Sequence, residues 1–183
     1  MHERRFNRDI STLRSQQRLE MLEAGRVIAL ALEGLIQPKA ALDVGTGSGI
    51  FAEQLAASGL KVSGMDANPD MLAVAREFVP SGTFKAGAAE KMPFADAEFD
   101  LVMMGLVLHE TDDPLAALRE ARRVSKQRAA VLEWVYQPQP FGPPLSDRLS
   151  PEKIATLSSQ AGFHSTRSIP LNKLVLYLMD PST

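Results

Sequence analysis

Residues 43–49 read Asp-Val-Gly-Thr-Gly-Ser-Gly, and Asp66 closes the next apolar run. Glycines this closely spaced after a short strand let the backbone approach a ligand, and the helix that follows offers unpaired N–H groups. Those donors and the positive helix end suit a phosphate or a carboxylate. The dinucleotide fingerprint G-x-G-x-x-G/A needs a small third residue so that helix and strand pack closely. Counted from Gly45 that residue is Ile50, so the fingerprint fails and a nicotinamide oxidoreductase becomes the weaker alternative. An amino-acid group would set its carboxylate on the loop N–H groups and its ammonium on loop carbonyls. Asp66 lies where an acid about 20 residues on takes a ribose diol. A glycine turn that only packs a helix, and a solvated loop aspartate, are the other uses of these residues. Together they favour a nucleoside joined to an amino acid.

A second group could move protons. His109, Glu110 and Asp112 follow the apolar run 99–105, and Glu133 and Tyr136 sit at the end of the run 129–134. His109 is the first choice for a general base, because an imidazole titrates near neutrality. A loop histidine bonded to nearby backbone is the alternative. Glu133, ending a buried strand, either touches ligand or receives a loop N–H. His2 and His164 have no assigned role.

These residues need a scaffold that brings loops together. Apolar residues at Leu19, Leu22, Ile28, Ala31, Leu32 and Leu35 predict an amphipathic helix across 13–36, stopped at Gln37-Pro38. Strands are expected at 40–44, 61–66, 83–87, 99–105, 129–134, 163–169 and 173–179, the last pair joined by a short hairpin connection. Helices are expected at 49–58, from Asn68-Pro69-Asp70 to Phe78, from Asp113 to Val124, and from Ser150-Pro151-Glu152 to Gly162. Three of these starts place a capping residue before a proline at the first helical position. Alternating strands and helices predict an α/β fold with a mostly parallel sheet covered by helices on both faces. The final pair has no helix between its strands, so the last strand should run antiparallel. In such sheets ligands bind beyond the carboxyl ends of the strands, where the strand order reverses. The loops 45–49, 66–68, 86–93, 104–112 and 134–149 are therefore the candidate site.

The 183 residues are expected to form one domain, 45% apolar and 23% charged, with a net charge of −2. That balance offers no basic stripe for nucleic acid and no grip on an anionic membrane. With no cysteine there are no disulfides, thiolate metal sites or cysteine nucleophiles, and no metal site is expected. The charged start lacks a signal-peptide core and the run at 27–32 is too short to span a bilayer, so a cytoplasmic location is the expectation.

The stretches ALDVGTGSG, VSGMDANPDMLAVAR, GAAEKMPFADAEFDLV, GLVLHETDDPLAALREARRV and VLEW occur in unbroken order across about residues 40–135. In this order they resemble the class I S-adenosylmethionine-dependent methyltransferases, with the flavour of the ubiquinone/menaquinone-biosynthesis C-methyltransferases. The resemblance implies a Rossmann-like, doubly wound seven-stranded sheet spanning 38–183, preceded by a helical segment at 1–37 that could act as a lid. It implies S-adenosyl-L-methionine as cofactor, S-adenosyl-L-homocysteine as product and a small-molecule methyl acceptor. In the family the loop at Gly45 and Gly47 holds the methionine end and Asp43 braces it. Asp66 takes the ribose hydroxyls, Ala67 lies beside the adenine, Ala88, Ala89 and Glu90 follow the adenine edge, and Met104-Gly105 passes under the sulfonium side.

Two departures stand out. Ala88 occupies a place where relatives usually carry an acid for the adenine amino group, a loss worth about 1–3 kcal/mol that Glu90 could offset. The segment 125–130, SKQRAA, replaces a Lys-Pro-Gly-Gly turn and is expected to be a turn far from the chemistry. Methyl transfer is an in-line displacement in which positioning is most of the catalysis, and a base is needed only if the acceptor must lose a proton. The four prolines of 136–145 are either a stiff rim of the acceptor pocket or a linker. Phe6, Ile10 and Leu13 would be the apolar contacts of an N-terminal lid. A nucleoside-binding module that has lost transfer is the alternative function of a different class.

Overall fold

Three helices begin by one device. Asn68, Asp113 and Ser150 each stand before a proline, and their side chains accept from Asp70 N, Ala116 N and Lys153 N at 3.0, 3.0 and 3.2 Å. The proline supplies helical φ where its missing N–H would have no partner, and the cap satisfies one of the free donors that remain. The computed structural model describes residues 13–181. Its helices are α1 (Gln16–Leu22), α2 (Ala24–Leu32), α3 (Ile50–Ala57), α4 (Pro69–Phe78), α5 (Pro114–Val124) and α6 (Pro151–Ala161).

The strands are β1 (Ala40–Val44), β2 (Lys61–Asp66), β3 (Thr83–Ala86), β4 (Phe99–Gly105), β5 (Ser125–Trp134), β6 (Phe163–Pro170) and β7 (Leu174–Pro181). They form one sheet in the order β3-β2-β1-β4-β5-β7-β6. The pairs β3–β2, β2–β1, β1–β4 and β4–β5 are parallel, while β7 runs antiparallel to both neighbours, as expected for a strand reached by a hairpin.

The pleat sorts the strand residues into two cores. Ala41, Leu101, Met103, Ala130, Leu132, Leu176 and Leu178 face α2, α3 and α4 with Ile28, Leu55 and Leu72. Their alternates Leu42, Val44, Val102, Met104, Ala129, Val131, Tyr177 and Met179 face α5 and α6 with Leu118, Ala121, Ile154 and Leu157. Side chains of successive strand residues point to opposite faces, so strands buried on both sides read as continuous apolar runs.

Two expectations are corrected. The single helix over 13–36 is two, broken at Glu23, whose φ is 45°. At 100° per residue Leu19 and Leu22 lie nearly opposite Ile28, Ala31 and Leu35, so no straight helix can bury both groups. The segment 125–130 is not a turn. Helix α5 caps on Ser125 and the chain passes directly into a longer β5. There Gln127 bonds Ile36 and Asp100, while Arg128 holds Asp180 and the carbonyls of Ala31 and Glu33. As expected from the sequence, the crossover from β3 to β4 contains no helix. The strand surface on that side is accordingly polar, with Lys61, Ser63, Thr83 and Lys85 lining a shallow hollow.

Candidate active site

The order of the sheet reverses between β1 and β4, and the loops leaving the carboxyl ends of β1, β2, β3 and β4 surround one cleft of about 910 Å³. Gly45, Gly47, Asp66, Ala67, Ala88, Ala89 and Glu90 all line it. Apolar walls come from Val44, Met65, Met71, Leu106 and Val107.

Gly45 shows why the first loop position must be glycine. Its φ is +66°, and an added Cβ would lie 2.6 Å from Val107 Cγ2, so any side chain would be strained and would collide with the opposite wall. Thr46 N donates to Met65 O at 2.9 Å, tying the loop to β2. Asp66 completes the tie. Its Oδ2 accepts from Gly47 N at 2.9 Å and its Oδ1 from Asn68 N at 2.8 Å. Each carboxylate oxygen keeps lone-pair capacity for a further donor, so the acid is held in one orientation at the cleft edge.

Asp43 does not line the cleft. It is 1% exposed beneath the glycine loop, where its Oδ2 accepts from Thr46 Oγ1 at 2.7 Å and from Ala52 N at 3.1 Å. Its place is that of a brace rather than a ligand-touching group. Burial raises its pKa to about 7, against the lowering effect of these two bonds and with a smaller push from Asp66. Met104 is also displaced from the expected role: the pleat turns it into the core beside Leu42 and Val44, and Gly105, one residue on, lines the cleft instead.

Glu90 has a task of its own. Its Oε1 accepts from Asp112 N at 2.9 Å, joining the loop after β3 to the loop after β4. Ala88 beside it lines the cleft through backbone and methyl alone.

His109 is not in the cleft. It sits in the short 3-10 turn Leu108–Glu110, 8% exposed, with Nδ1 donating to Glu133 Oε2 at 2.8 Å and its backbone N donating to Glu133 Oε1 at 3.1 Å. Both oxygens of one buried carboxylate therefore grip one residue. Burial alone would lower the imidazole pKa, but the charge and hydrogen bond of Glu133, with Glu110 and Asp147 nearby, outweigh it and raise it. The imidazole is buried and does not line the cleft, so its ring does not present itself to a molecule bound there. Of the five acid–base candidates, Glu110 lines the cleft; Asp112 is exposed and outside the lining, Glu133 is buried and Tyr136 is exposed outside it.

Two features lie outside the sequence expectations. Arg18 reaches the cleft from the N-terminal side with the expected Leu13, and Arg14 fastens that segment to the glycine loop. Its Nη1 donates to Ser48 O at 2.9 Å, its Nη2 pairs with Glu53, and its guanidinium lies 3.5 Å over the Phe78 ring. The basic residues of this segment are in plain view, but no spacing links them to residue 48. Of the expected lid contacts, Leu13 is buried against the cleft, and Phe6 and Ile10 lie outside the described residues. The second feature is Arg148, 5% exposed, which binds the carbonyls of Val135, Gln137, Phe141 and Pro143 and the Gln139 side chain. Gly142, at φ +81°, lies flat on Trp134, where a Cβ would come within 3.0 Å of the indole. The proline-rich stretch is thus a self-bonded loop. None of its residues lines the cleft, so the expectation of a pocket rim is left without a contact.

Among the described residues no three His, Asp or Glu side chains gather as a metal site, and no helix is long and apolar enough to cross a membrane.

Residues 42–132 match the family model described as a methyltransferase domain. A demethylmenaquinone methyltransferase of Chlorobaculum parvum is 44% identical over 96 residues, covering 52% of this chain and 39% of that protein. A malonyl-[acyl-carrier protein] O-methyltransferase of Erwinia pyrifoliae is 38% identical over 91 residues, covering 50% of this chain and 35% of that protein. The alignments thus span well under half the length of these curated relatives. A solved SAM-dependent methyltransferase from Aquifex aeolicus superposes with a TM-score of 0.80 and 25% identity, covering 93% of this chain and 95% of its own. By this domain match and this likeness over nearly the whole chain, it belongs to the class I S-adenosylmethionine-dependent methyltransferases.

Proposed function

We propose that this protein transfers a methyl group from S-adenosylmethionine to a small molecule bearing a hydroxylated ring. The observation that carries the reading is the juxtaposition of Asp66 with the glycine loop across one apolar-walled cleft. The residues fit such a nucleoside. Asp66 is oriented by two backbone N–H groups and can accept a vicinal diol, Ala67, Ala88 and Ala89 leave room for a flat base, and a side chain at Gly45 would fill the loop. Gly45 and Gly47 would hold the amino-acid end. When bound, the sulfonium supplies an activated methyl and leaves as a neutral thioether. The chain's own part is to fix the nucleoside, to keep water from the apolar walls and to align the acceptor, the step in which positioning counts most.

The cleft lining and one of the relatives support this acceptor class. Leu13, Val44, Leu106 and Val107 present apolar surface in the same cleft as Glu110, which suits a ring with an ionisable hydroxyl. The C. parvum relative is named for a demethylated quinone.

Differential scanning with S-adenosylmethionine, S-adenosylhomocysteine and NAD tests the cofactor half: stabilisation by the first two and not by NAD is expected. Transfer of labelled methyl to reduced naphthoquinols tests the rest. Stabilisation without any transfer would favour a nucleoside-binding module.

A further inference from the structure

We propose that Glu110 is the base on the acceptor side of this cleft and that His109, clamped by Glu133, is the residue that positions it. The inference rests on the reading of a hydroxylated ring as acceptor. Its basis is the turn that follows β4. Glu110 N donates to Val107 O at 3.0 Å, Thr111 N to Leu108 O at 3.3 Å, and Thr111 Oγ1 to Leu108 O at 2.7 Å, so the backbone here is fixed. The turn gives the two neighbouring side chains different partners. His109 bonds to Glu133, and Glu110 lines the cleft with Thr111.

Both Glu133 oxygens are occupied by His109, at 2.8 and 3.1 Å, which fixes the ring and leaves Nε2 facing Glu110 Oε1 at 3.8 Å. At that separation the contact is electrostatic, and a cation behind a carboxylate steadies its charge and its direction. The groups around the imidazole are acidic on every side: Glu133 from β5, Glu110 from its own turn and Asp147 from the turn before α6. Tyr177 of β7 and Glu152 of α6 share the surroundings of Glu133. These acids favour a proton on His109 and raise its pKa against the opposing effect of burial.

In the proposed step the acceptor O–H breaks, its electron pair stays on oxygen, and the proton bonds to a Glu110 carboxylate oxygen. The enolate-like ring carbon then has the electron pair that forms the new bond to methyl. After transfer the ring proton displaced from that carbon leaves to water and Glu110 returns its proton to oxygen, so one proton is released for each turnover.

The test compares wild type, E110Q, H109Q and E133Q with 1,4-naphthohydroquinone kept reduced, over a range of pH. S-adenosylhomocysteine affinity is measured on each by calorimetry. A separate readout is the ionisation of bound 1-naphthol, followed by phenolate absorbance in the presence of S-adenosylhomocysteine. E110Q is expected to bind S-adenosylhomocysteine within about twofold of wild type, to lose about 10²- to 10³-fold in kcat, and to regain rate steadily as pH rises. It should no longer ionise bound naphthol. H109Q and E133Q should keep kcat at high pH while the acid limb of the profile moves upward, with little change in KM. E110Q with the wild-type rate and profile, or with S-adenosylhomocysteine binding lost more than tenfold, would overturn the assignment. Unshifted profiles in both H109Q and E133Q would overturn the positioning role. Wild type that binds S-adenosylhomocysteine yet methylates no hydroxylated ring would overturn the acceptor reading, and this inference with it.

Discussion

Replacing Asp43 with asparagine should make the stability of the protein markedly less sensitive to pH. Asp43 lies buried under the glycine loop, with two donors on Oδ2 and, among the described residues, none on Oδ1. Burial raises its pKa from an ordinary 3.8 to about 7. In the unfolded chain the acid ionises near its ordinary value, whereas the folded protein keeps the proton up to about 7. Between those values the native state binds more protons, so stability falls as pH rises across this window. About three pH units at 1.36 kcal/mol each amount to roughly 4 kcal/mol. The asparagine side chain can keep its oxygen on Thr46 and Ala52. Its amide takes the place of Oδ1, and an unpaired buried amide costs about 1–3 kcal/mol at every pH alike. The offset is constant and the slope is not. Urea unfolding at pH 4.5 and pH 8 therefore isolates the effect: the stability of Asp43→Asn minus that of wild type should rise by about 3–4 kcal/mol between the two. Parallel pH curves for both proteins would refute the reasoning, because Asp43 would then ionise equally easily folded and unfolded.

Asp66→Ala should weaken S-adenosylhomocysteine by about 10- to 100-fold in calorimetry, since it removes a charged acceptor for the diol and frees the loop N–H of Gly47. Unchanged affinity would remove Asp66 from the site. Arg148→Ala should act locally, because the loop can open to water rather than bury the carbonyls that Arg148 now serves. Chymotryptic cleavage after Tyr136 or Phe141 should rise more than about tenfold while global stability drops by only about 1–2 kcal/mol; a cleavage pattern like that of wild type would show that the arginine does not hold the loop. Glu133→Gln should cost most at acid pH. His109 has a raised pKa when folded, so its contribution is complete below the ordinary 6.5 and fades as pH climbs through the folded value. A destabilisation that grows with pH would contradict this.

The sheet was readable because each strand is bounded by residues with one conformational meaning. Asn68-Pro69, Asp113-Pro114 and Ser150-Pro151 start helices, and Gly162, in the left-handed region at φ 91°, ends one. The break at Glu23 was hidden by treating Leu19 to Leu35 as one stripe, although their angles on a helical wheel already conflict. The strand character of SKQRAA was hidden for another reason. The segment stands where relatives carry a turn, and only the partners that come from elsewhere, Asp100, Asp180 and the carbonyls ending α2, make a polar strand start stable. Propensity is local and those partners are not.

The same division between local and distant information runs through the site. Gly45, Gly47 and Asp66 announce themselves because each is demanded by backbone geometry or by charge at a strand end, which a linear spacing records. His109 and Glu110 are adjacent in sequence, both ionisable and both just past β4, so spacing has nothing with which to rank them. What ranks them is Glu133, 24 residues on from His109, whose two oxygens draw the histidine inward and leave the glutamate to the cleft. Had residue 133 been apolar, an uncompensated buried imidazole would have been costly and the turn free to expose it. The side chain that identifies the acid–base group of this cleft is therefore one that never touches it.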